Sequence, residues 1–256
     1  MKDKLNIVAI SYLNTIPFLY GIRKDKDLMS QLNLRLEYPS LCADLLKSGQ
    51  ADVGLIPVAE IVHLDNPMII GDFCIGAQGK VNTVMLYSCC SLNEIKIVAL
   101  DYQSRTSVML TKILFDKFWD RKVGFESTSE GYIDRISGSV AGVVIGDRAF
   151  DYKDRFPYSY DLSEEWYKFT GLPFVFACWV SRIPLDPKFE LQFCKAMSLG
   201  FSEMEKVVED YSNANISGPH LSSYLNEDIS YNFDVNKRRG MALFLSHCQY
   251  HNKSVI

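Results

Sequence analysis

The sequence predicts an α/β protein of two lobes, each built on a mixed, mostly parallel sheet flanked by helices. Short apolar runs alternate with segments that have the apolar spacing of amphipathic helices, and this order is typical of sheets covered by helices. The length agrees, since 256 residues with 48% hydrophobic and 23% charged residues suit one large or two modest packed domains. A chain of this size needs no disulfide or metal for its stability.

The first lobe is predicted from strands and helices that alternate along the amino-terminal third of the chain. Asn14 is a plausible N-cap for the first helix, Gly49 ends the second helix, and Pro57 suits the first turn of a third. In chain order, the predicted elements are strand 5–11, helix 15–24, strand 32–38, helix 40–48, strand 53–56 and a helix that begins at Pro57.

The second lobe is predicted from a further set of units after Cys90. These are strand 97–100, helix 105–119, strand 142–145, helix 161–170 and strand 174–180, followed by helices 187–211, 220–228 and 234–251. Strands near 83–88 and 174–181 are expected to join the lobes as a double crossover. The predicted division is therefore residues 1–88 with 181–256 for the first lobe, and residues 89–180 for an inserted second lobe.

Composition and charge exclude several classes of protein. Lys and Arg total 27 against 31 Asp and Glu, which argues against nonspecific binding to nucleic acid or to anionic membranes. No apolar run approaches the ~20 residues of a membrane-spanning helix.

Residues 1–11 lack a signal-peptide pattern, and the seven cysteines contain no CxxC pair, so we expect a reduced cytoplasmic protein. The adjacent Cys89 and Cys90 are expected to pack at the hinge.

Several catalytic motifs are absent from the sequence. There is no GxGxxG after a predicted strand, no HExxH and no GxSxG, and the four histidines are dispersed. Gly71 and Gly76 have the spacing of a P-loop, but Ala77 and Gln78 replace its Lys and Ser or Thr. The sequence therefore predicts neither a metal nor an organic cofactor.

Polar residues follow the predicted strands, where the ligands of open α/β sheets bind. The richest segment is 101–107, in which Ser104, Arg105, Thr106 and Ser107 open a helix. Unpaired backbone N–H groups and a guanidinium at such a position favour a carboxylate or phosphate, although the same residues also fit a capping box beside an exposed arginine.

Other polar residues occupy similar positions with less distinctive surroundings. Asn14 and Ser11 follow the first strand, Glu60 follows the third, Thr83 precedes a crossover strand, and Asp147 ends another. Capping or first-turn charge would explain several of them equally well. These residues alone predict a cleft that binds a small hydroxylated or carboxylated ligand, and they leave open whether the protein is an enzyme or a binding protein.

Four segments in order resemble the chorismate dehydratases, the family that opens the futalosine route to menaquinone. They are SYLNTIPF at 11–18, ADVGLIPVAE at 51–60, SRTS at 104–107 and TGLPFVFA at 170–177. The resemblance runs through nearly the whole chain and weakens in the carboxyl-terminal helices. It implies the fold of type II periplasmic solute-binding proteins, with chorismate as the small-molecule substrate held in the cleft between the lobes.

The resemblance also implies a reaction and a set of roles. Chorismate would lose water to give 3-[(1-carboxyvinyl)oxy]benzoate, and aromatisation would drive the step, so positioning matters more than a strong base. Ser104, Arg105, Thr106 and Ser107 would bind one carboxylate. Asn14 and Thr83 would hold the ring hydroxyl or the other carboxylate and assist the loss of water, with Ser11 as a weaker contact.

The sequence leaves more than one possibility open for the proton acceptor and for the class of protein. The substrate's own enolpyruvyl carboxylate is the expected acceptor, with Asp147 as the next choice and Glu60 after it. One rival is the sister enzyme dihydroxynaphthoate synthase, whose expected cleft histidine is missing from residues 11–14. Another is a non-catalytic solute-binding or sensor protein that uses hinge closure. The oligomeric state is not predicted.

Overall fold

A computed structural model describes residues 4–213 and 216–253, with side chains up to residue 250. Residues 1–3, part of the segment used to predict the absence of an export signal, lie outside the described residues. The strands are β1 Leu5–Ile10, β2 Leu32–Glu37, β3 Val53–Pro57, β4 Met68–Ala77, β5 Val84–Ser88, β6 Ile97–Leu100, β7 Gly124–Ser127, β8 Val140–Ile145, β9 Tyr158–Asp161, β10 Phe174–Ser181 and β11 Ser230–Asn232.

Helices occupy most of the connections between these strands. They are α1 Ile16–Lys24, α2 Lys26–Ser30, α3 Pro39–Lys47, α4 Arg105–Ile113, α5 Arg148–Asp151, α6 Leu162–Thr170, α7 Pro187–Ser202, α8 Met204–Tyr211, α9 Gly218–Ser223 and α10 Val235–Lys253. Single turns of 3-10 helix lie at Leu13–Thr15, Val58–His63, Leu92–Glu94 and Tyr132–Arg135, and π-helical turns lie at Leu114–Phe118 and Tyr224–Asp228.

The chain forms two compact units. The first comprises Met1–Ile56, His63–Ile75 and Ala177–Phe233, and the second comprises Pro57–Val62, Gly76–Phe176 and Asp234–Ile256. The first unit carries a six-stranded sheet in the order β11-β4-β10-β3-β1-β2, and the second carries a five-stranded sheet in the order β7-β6-β8-β5-β9. The predicted mixed α/β class, with two sheets flanked by helices, is confirmed.

The first unit is held together by apolar faces that meet on its sheet. β1 pairs in parallel with both β2 and β3, and the last four residues of β1 are buried. Phe18 of α1 makes edge-to-face contacts with Trp179, Phe201 and Tyr231, at centroid distances of 5.9, 5.3 and 5.5 Å. Aromatic contacts of this kind stabilise the unit in addition to the stabilisation that α1 gains by burying apolar area.

The second sheet places the ends of several strands at one edge. β6 pairs in parallel with β7 and β8, while β5 pairs antiparallel with β8 and β9. The residues that follow β6, β8 and β9 therefore lie at the same edge as the residues that precede β5. Most of the residues predicted for the site in this unit belong to that edge.

The structure differs from the predicted division of the chain in four places, the smallest of which is residues 177–180, which belong to the first unit rather than to the second. Residues 76–88 belong to the second unit because β5 is an interior strand of the five-stranded sheet. Residues 57–62 also belong there. The carboxyl-terminal helix α10 belongs to the second unit rather than the first, since its Phe244 packs on Trp166 and Phe174 at 6.1 and 5.0 Å.

The strands through which the chain changes unit also differ from the prediction. The chain passes between the units inside β4, after residue 75, and inside β10, after residue 176; it also changes unit after residues 56, 62 and 233. β10 was predicted as a strand that joins the lobes. The prediction that residues 83–88 form the other joining strand is wrong, because β4 has that role. Cys89 and Cys90 follow β5 in the second unit, where Cys89 is exposed, so their predicted place at the hinge is wrong as well.

Among the described residues, no helix has the length and apolarity required to cross a membrane. All seven cysteines are free thiols, and Cys42, Cys74, Cys178 and Cys248 are buried. Burial raises the pKa of the Cys42 and Cys248 thiols to about 12, so both remain protonated at neutral pH and pack as small apolar side chains.

Candidate functional site

The polar residues of the second unit gather at the edge of its sheet defined above. We call the set Thr83, Asp101, Ser104–Ser107, Asp147 and Arg148 the polar edge. Because β6 and β8 are parallel neighbours, Asp101 after β6 lies beside residues 145–148 after β8. Topology thus brings together residues that are more than forty positions apart in the chain.

Helix α4 begins at the polar edge with a hydroxyl cap. Ser104 is its N-cap, and the Ser104 hydroxyl accepts a hydrogen bond from the Ser107 backbone N–H at 3.1 Å. The same hydroxyl donates to the Ser107 Oγ at 2.9 Å. Ser104, Thr106 and Ser107 are all buried, so the predicted capping role of this segment is present together with the features that favour an anion.

Arg105 is held by a carboxylate from the 3-10 turn at Val58–His63. Its Nη1 donates to the Glu60 Oε2 at 2.8 Å, and 39% of the arginine side chain is exposed against 10% of the glutamate side chain. Thr106 fixes the same turn, because its Oγ1 accepts from the Ala59 N–H at 3.2 Å. The turn therefore orients a partly exposed guanidinium at the start of α4.

Asp101 connects three segments at the polar edge. Its Oδ2 accepts from the Tyr132 hydroxyl at 2.9 Å, from the Ile145 N–H at 3.1 Å and from Arg148 Nη2 at 2.7 Å. Its Oδ1 accepts from the Gln103 N–H at 2.9 Å. Burial, followed by the neighbouring Asp101 charge, raises the pKa of Tyr132 well above its usual range, so its hydroxyl remains a donor.

Thr83 and Asp147 lie together where β5 begins and β8 ends. Gly146 has φ +71°, a left-handed conformation that glycine adopts without strain, and its N–H donates to the Thr83 carbonyl at 2.9 Å. The Thr83 hydroxyl donates to the Val81 carbonyl at 3.3 Å, and the residue is buried. Asp147 is half-buried and precedes α5 without a side-chain capping bond.

A second buried carboxylate at this edge has only backbone partners in its hydrogen bonds. The Asp161 Oδ2 accepts from the N–H groups of Val81 and Asn82 at 2.8 and 2.7 Å. Its Oδ1 accepts from Ser163 and Glu164 at 3.0 and 3.2 Å. Asp161 thus caps α6 and also fixes the chain that leads to Thr83.

Two predicted residues belong to the first unit. Asn14 is buried in the 3-10 turn before α1, where its Nδ2 donates to the Tyr224 hydroxyl at 3.3 Å and its Oδ1 accepts from the Thr15 hydroxyl at 3.4 Å. Its predicted capping of α1 is wrong, because Thr15 is the N-cap and makes no side-chain capping bond. Ser11 is exposed at the end of β1.

The second unit therefore brings together Thr83, Ser104–Ser107 and Asp147, with Glu60 as the partner of Arg105. Asn14 and Ser11 lie in the first unit. Sequence reasoning missed the roles of Tyr132 and Arg148. A signal existed for Arg148, which follows the strand-ending Gly146 and Asp147, whereas nothing in the sequence connects Tyr132 to Asp101. In the part of the chain that the structure describes, no group of three or more His, Cys, Asp or Glu side chains could hold a metal ion.

Comparison with solved structures defines the class of protein. Protein AF1704 from Archaeoglobus fulgidus is similar with a TM-score of 0.74 and 14% identity, over 99% of this chain and 98% of that one. The Candida albicans CA3427 gene product, described as exhibiting the generic periplasmic binding protein fold, has a TM-score of 0.66 and 11% identity over 96% and 90%. The aliphatic sulphonate binding protein SsuA from Escherichia coli has 0.61 and 13% over 100% and 94%. The chain therefore has a periplasmic-binding-protein-like fold.

Comparison of sequences then gives the family. The family described as menaquinone biosynthesis matches residues 5–250, and this chain belongs to it. The chorismate dehydratase of Thermus thermophilus is 26% identical over 78% of this chain and 80% of that protein. The family resemblance predicted from the sequence is confirmed.

Proposed function

We propose that this protein is a chorismate dehydratase, a hydro-lyase that converts chorismate to 3-[(1-carboxyvinyl)oxy]benzoate at the start of the futalosine route to menaquinone. Membership of the menaquinone biosynthesis family and the similarity to a chorismate dehydratase support the proposal. The observation that carries it is the start of α4, where Arg105 stands at a helix N-terminus, partly exposed and oriented by Glu60. Such a site suits a carboxylate.

The reaction requires the loss of one proton and one hydroxide from neighbouring ring carbons. The proton leaves the carbon that bears the ether, and its electron pair is delocalised through the ring diene into the ring carboxylate. The adjacent carbon then expels its hydroxyl group, the ring becomes aromatic, and the proton and hydroxide leave as water. Negative charge grows on the ring carboxylate during the first step, so a fixed cation at that carboxylate lowers the barrier.

The residues predicted for the site, in both units, take the following roles in this proposal. Arg105 binds one substrate carboxylate, and the buried hydroxyls of Ser104, Thr106 and Ser107 keep the first turn of α4 in the geometry that receives it. Thr83 and Asn14 contact the ring hydroxyl or the second carboxylate and assist the departure of water. Ser11 is a weaker contact, and Asp147 binds the substrate through a hydrogen bond.

The proton acceptor in this proposal is the enolpyruvyl carboxylate of the substrate itself. Glu60 is a poor alternative because its carboxylate is occupied by Arg105, the guanidinium of which lies 2.8 Å away. Holding the substrate carboxylate close to the ring proton supplies the catalytic advantage through proximity.

The test is to mix the EDTA-treated protein with chorismate and to follow ultraviolet absorbance and product mass. We expect loss of one water and an aromatic product without any added cofactor. Arg105→Gln should lower kcat/KM by about 10–100-fold, because a charge-assisted hydrogen bond contributes about 1.5–3 kcal/mol. Arg135→Gln is the matched control, since Arg135 is exposed and forms only a weak ion pair, in which its Nη1 lies 4.0 Å from the Oε2 of the exposed Glu126.

Other outcomes would contradict the proposal in different ways. Chorismate that binds and is recovered unchanged would favour the solute-binding or sensor alternative. Chorismate that neither binds nor reacts would reject the ligand altogether. Equal activity of the Arg105→Gln and Arg135→Gln variants would reject the start of α4 as the carboxylate site.

A further inference from the structure

The polar edge contains a second arginine arranged like Arg105. Both guanidinium groups donate to a carboxylate that is more buried than they are. Arg105 donates to Glu60, and Arg148 donates to Asp101, whose side chain is fully buried. The exposed fractions of the two arginine side chains are similar, 39% and 31%.

Asp101 has hydrogen-bond partners besides Arg148. The Asp101 carboxylate already accepts from the N–H groups of Gln103 and Ile145, and it shares the Tyr132 hydroxyl proton with the Val143 carbonyl. Asp161, at the same edge, accepts four backbone N–H bonds, yet burial still raises the pKa of that carboxyl. Arg148 therefore compensates the buried charge of Asp101 rather than completing its hydrogen bonds, and 31% of the arginine side chain is exposed at the edge.

The guanidinium of Arg148 is held in a defined position. Asp101 fixes its Nη2 at 2.7 Å, and the Tyr102 ring lies under the guanidinium carbon at 5.7 Å. A guanidinium presents its donors in a planar fork that matches both oxygens of a carboxylate. An arginine fixed in this way loses little side-chain entropy when an anion binds.

We propose that Arg148 binds the second carboxylate of a dicarboxylate ligand whose first carboxylate is bound by Arg105. The inference rests on the proposed function, because the substrate and the product of that reaction each carry one carboxylate on the ring and another on the side chain. Two fixed guanidinium groups at one sheet edge select such a ligand over a monocarboxylate. Arg148 thereby determines specificity for the substrate class.

The test uses three ligands that differ only in their carboxylates. They are 3-[(1-carboxyvinyl)oxy]benzoate, 3-(vinyloxy)benzoate, which lacks the side-chain carboxylate, and 2-phenoxyacrylate, which lacks the ring carboxylate. Dissociation constants are measured by titration calorimetry for the full chain and for Arg105→Gln, Arg148→Gln and the control Arg135→Gln. The readout is binding, so it does not depend on turnover.

We expect each arginine variant to weaken a different monocarboxylate by about 10–100-fold while leaving the other within about twofold. The dicarboxylate should be weakened by both variants and left unchanged by Arg135→Gln. Should Arg148→Gln fail to fold, Arg148→Lys keeps a cation beside Asp101 and removes the planar fork. That variant should weaken the same monocarboxylate by about 3–10-fold.

Three results would overturn the inference. They are unchanged affinity of Arg148→Gln for all three ligands, an equal loss for all three, or weakening of the same monocarboxylate by both arginine variants. Failure of the proposed function gives a different pattern, in which the wild-type protein binds the dicarboxylate through both arginines but leaves chorismate unchanged. If the wild-type protein binds none of the three ligands, the assignment of Arg148 is rejected, and chorismate turnover still tests the function separately.

Discussion

Asp101 acts at the residue scale as an anchor rather than as a base. It is buried, and it accepts hydrogen bonds from a tyrosine hydroxyl, two backbone N–H groups and a guanidinium. These contacts surround the carboxylate with donors and hold the residues that follow β6 beside the residues that follow β8. Among the acidic residues of the polar edge, Asp147 is therefore the remaining protein candidate for proton transfer.

Replacement of Asp147 separates a protein base from a base supplied by the substrate. We expect Asp147→Asn to raise KM for chorismate about fivefold, because one hydrogen bond to the substrate is weakened, and to leave kcat within about tenfold of the wild type. A general base that is lost should instead lower kcat by about 10²–10⁴-fold. The measurement is steady-state kinetics of chorismate loss across the neutral pH range.

Asp151→Asn is the matched control for that variant, since Asp151 is an exposed acid at the other end of the same short helix α5. It should behave as the wild type. A collapse of kcat confined to Asp147→Asn would reject the substrate as its own base and would assign that role to Asp147.

At the residue scale, the sequence predicted which polar residues belong to the site but not which residues they form hydrogen bonds with. The hydroxyls and the guanidinium of residues 104–107 were predicted as a unit because they are consecutive. The partners of Arg105 and of Asp101 lie 45 and 47 positions away, and only the pairing of β6 with β8 brings the second pair together. A single sequence contains no signal for contacts of that range.

Terminal signals predicted some elements well and misplaced others, since Asn14 does not cap α1 and the helix predicted to begin at Pro57 is a 3-10 segment that follows the end of β3. β6 has the predicted bounds, and α6, predicted over residues 161–170, begins after its cap Asp161 and ends before Gly171, which has φ +69°. β4 was missed because Gly71 and Gly76 interrupt its pattern. At Gly76 the backbone approaches β10 so closely that a Cβ would lie 2.8 Å from the Phe174 carbonyl oxygen. The predicted helix at 105–119 ends as an α-helix at Ile113 and continues as a π-helical turn.

At the scale of elements, the close crossing of α1 and α7 depends on two glycines. A Cβ on Gly21 would lie 1.8 Å from the Ala196 carbonyl oxygen, and a Cβ on Gly200 would lie 1.7 Å from the Pro17 carbonyl oxygen. The two backbones must separate to admit a methyl group. We expect Gly21→Ala to lower the free energy of unfolding by about 3 kcal/mol or more, as measured by urea titration with circular dichroism.

Gly218→Ala is the control for the Gly21→Ala variant. Gly218 begins α9, and the nearest atom to its Cβ would be 3.8 Å away on Val208. This substitution should change the free energy of unfolding by less than about 1 kcal/mol. Equal stability of Gly21→Ala and the wild-type protein would show that the helices do not approach each other as described.

At the scale of the whole molecule, the class and the two-part organisation were predictable and the boundaries were not. Alternating strands and helices indicate the class because each element buries one face. The assignment of β5 and α10 to a unit depends on tertiary partners, Phe244 on Trp166 and β5 between β8 and β9. Local periodicity reports which face of an element is apolar but does not identify the sheet it packs on.

The whole molecule should lose stability in alkaline solution, starting near pH 9. Burial raises the pKa of the Cys42 and Cys248 thiols to about 12, and burial together with the Asp161 charge raises the pKa of Tyr87 to about 12. In the unfolded chain these groups ionise near pH 9 and 10, so between those values and about pH 12 the unfolded state binds fewer protons than the folded state. Stability that is fully present below pH 9 is therefore lost as the pH rises.

Tyr87→Phe isolates the contribution of one of these groups. The Tyr87 hydroxyl donates to the Ala149 carbonyl at 2.9 Å, so the variant should be less stable by about 0.5–1.5 kcal/mol below pH 10. Above pH 10 the wild-type advantage should shrink by at most about 1.4 kcal/mol per pH unit, because phenylalanine has no proton to lose. Urea titrations from pH 8 to 11.5 measure both parts. Parallel curves for Tyr87→Phe and the wild type would reject the elevated pKa.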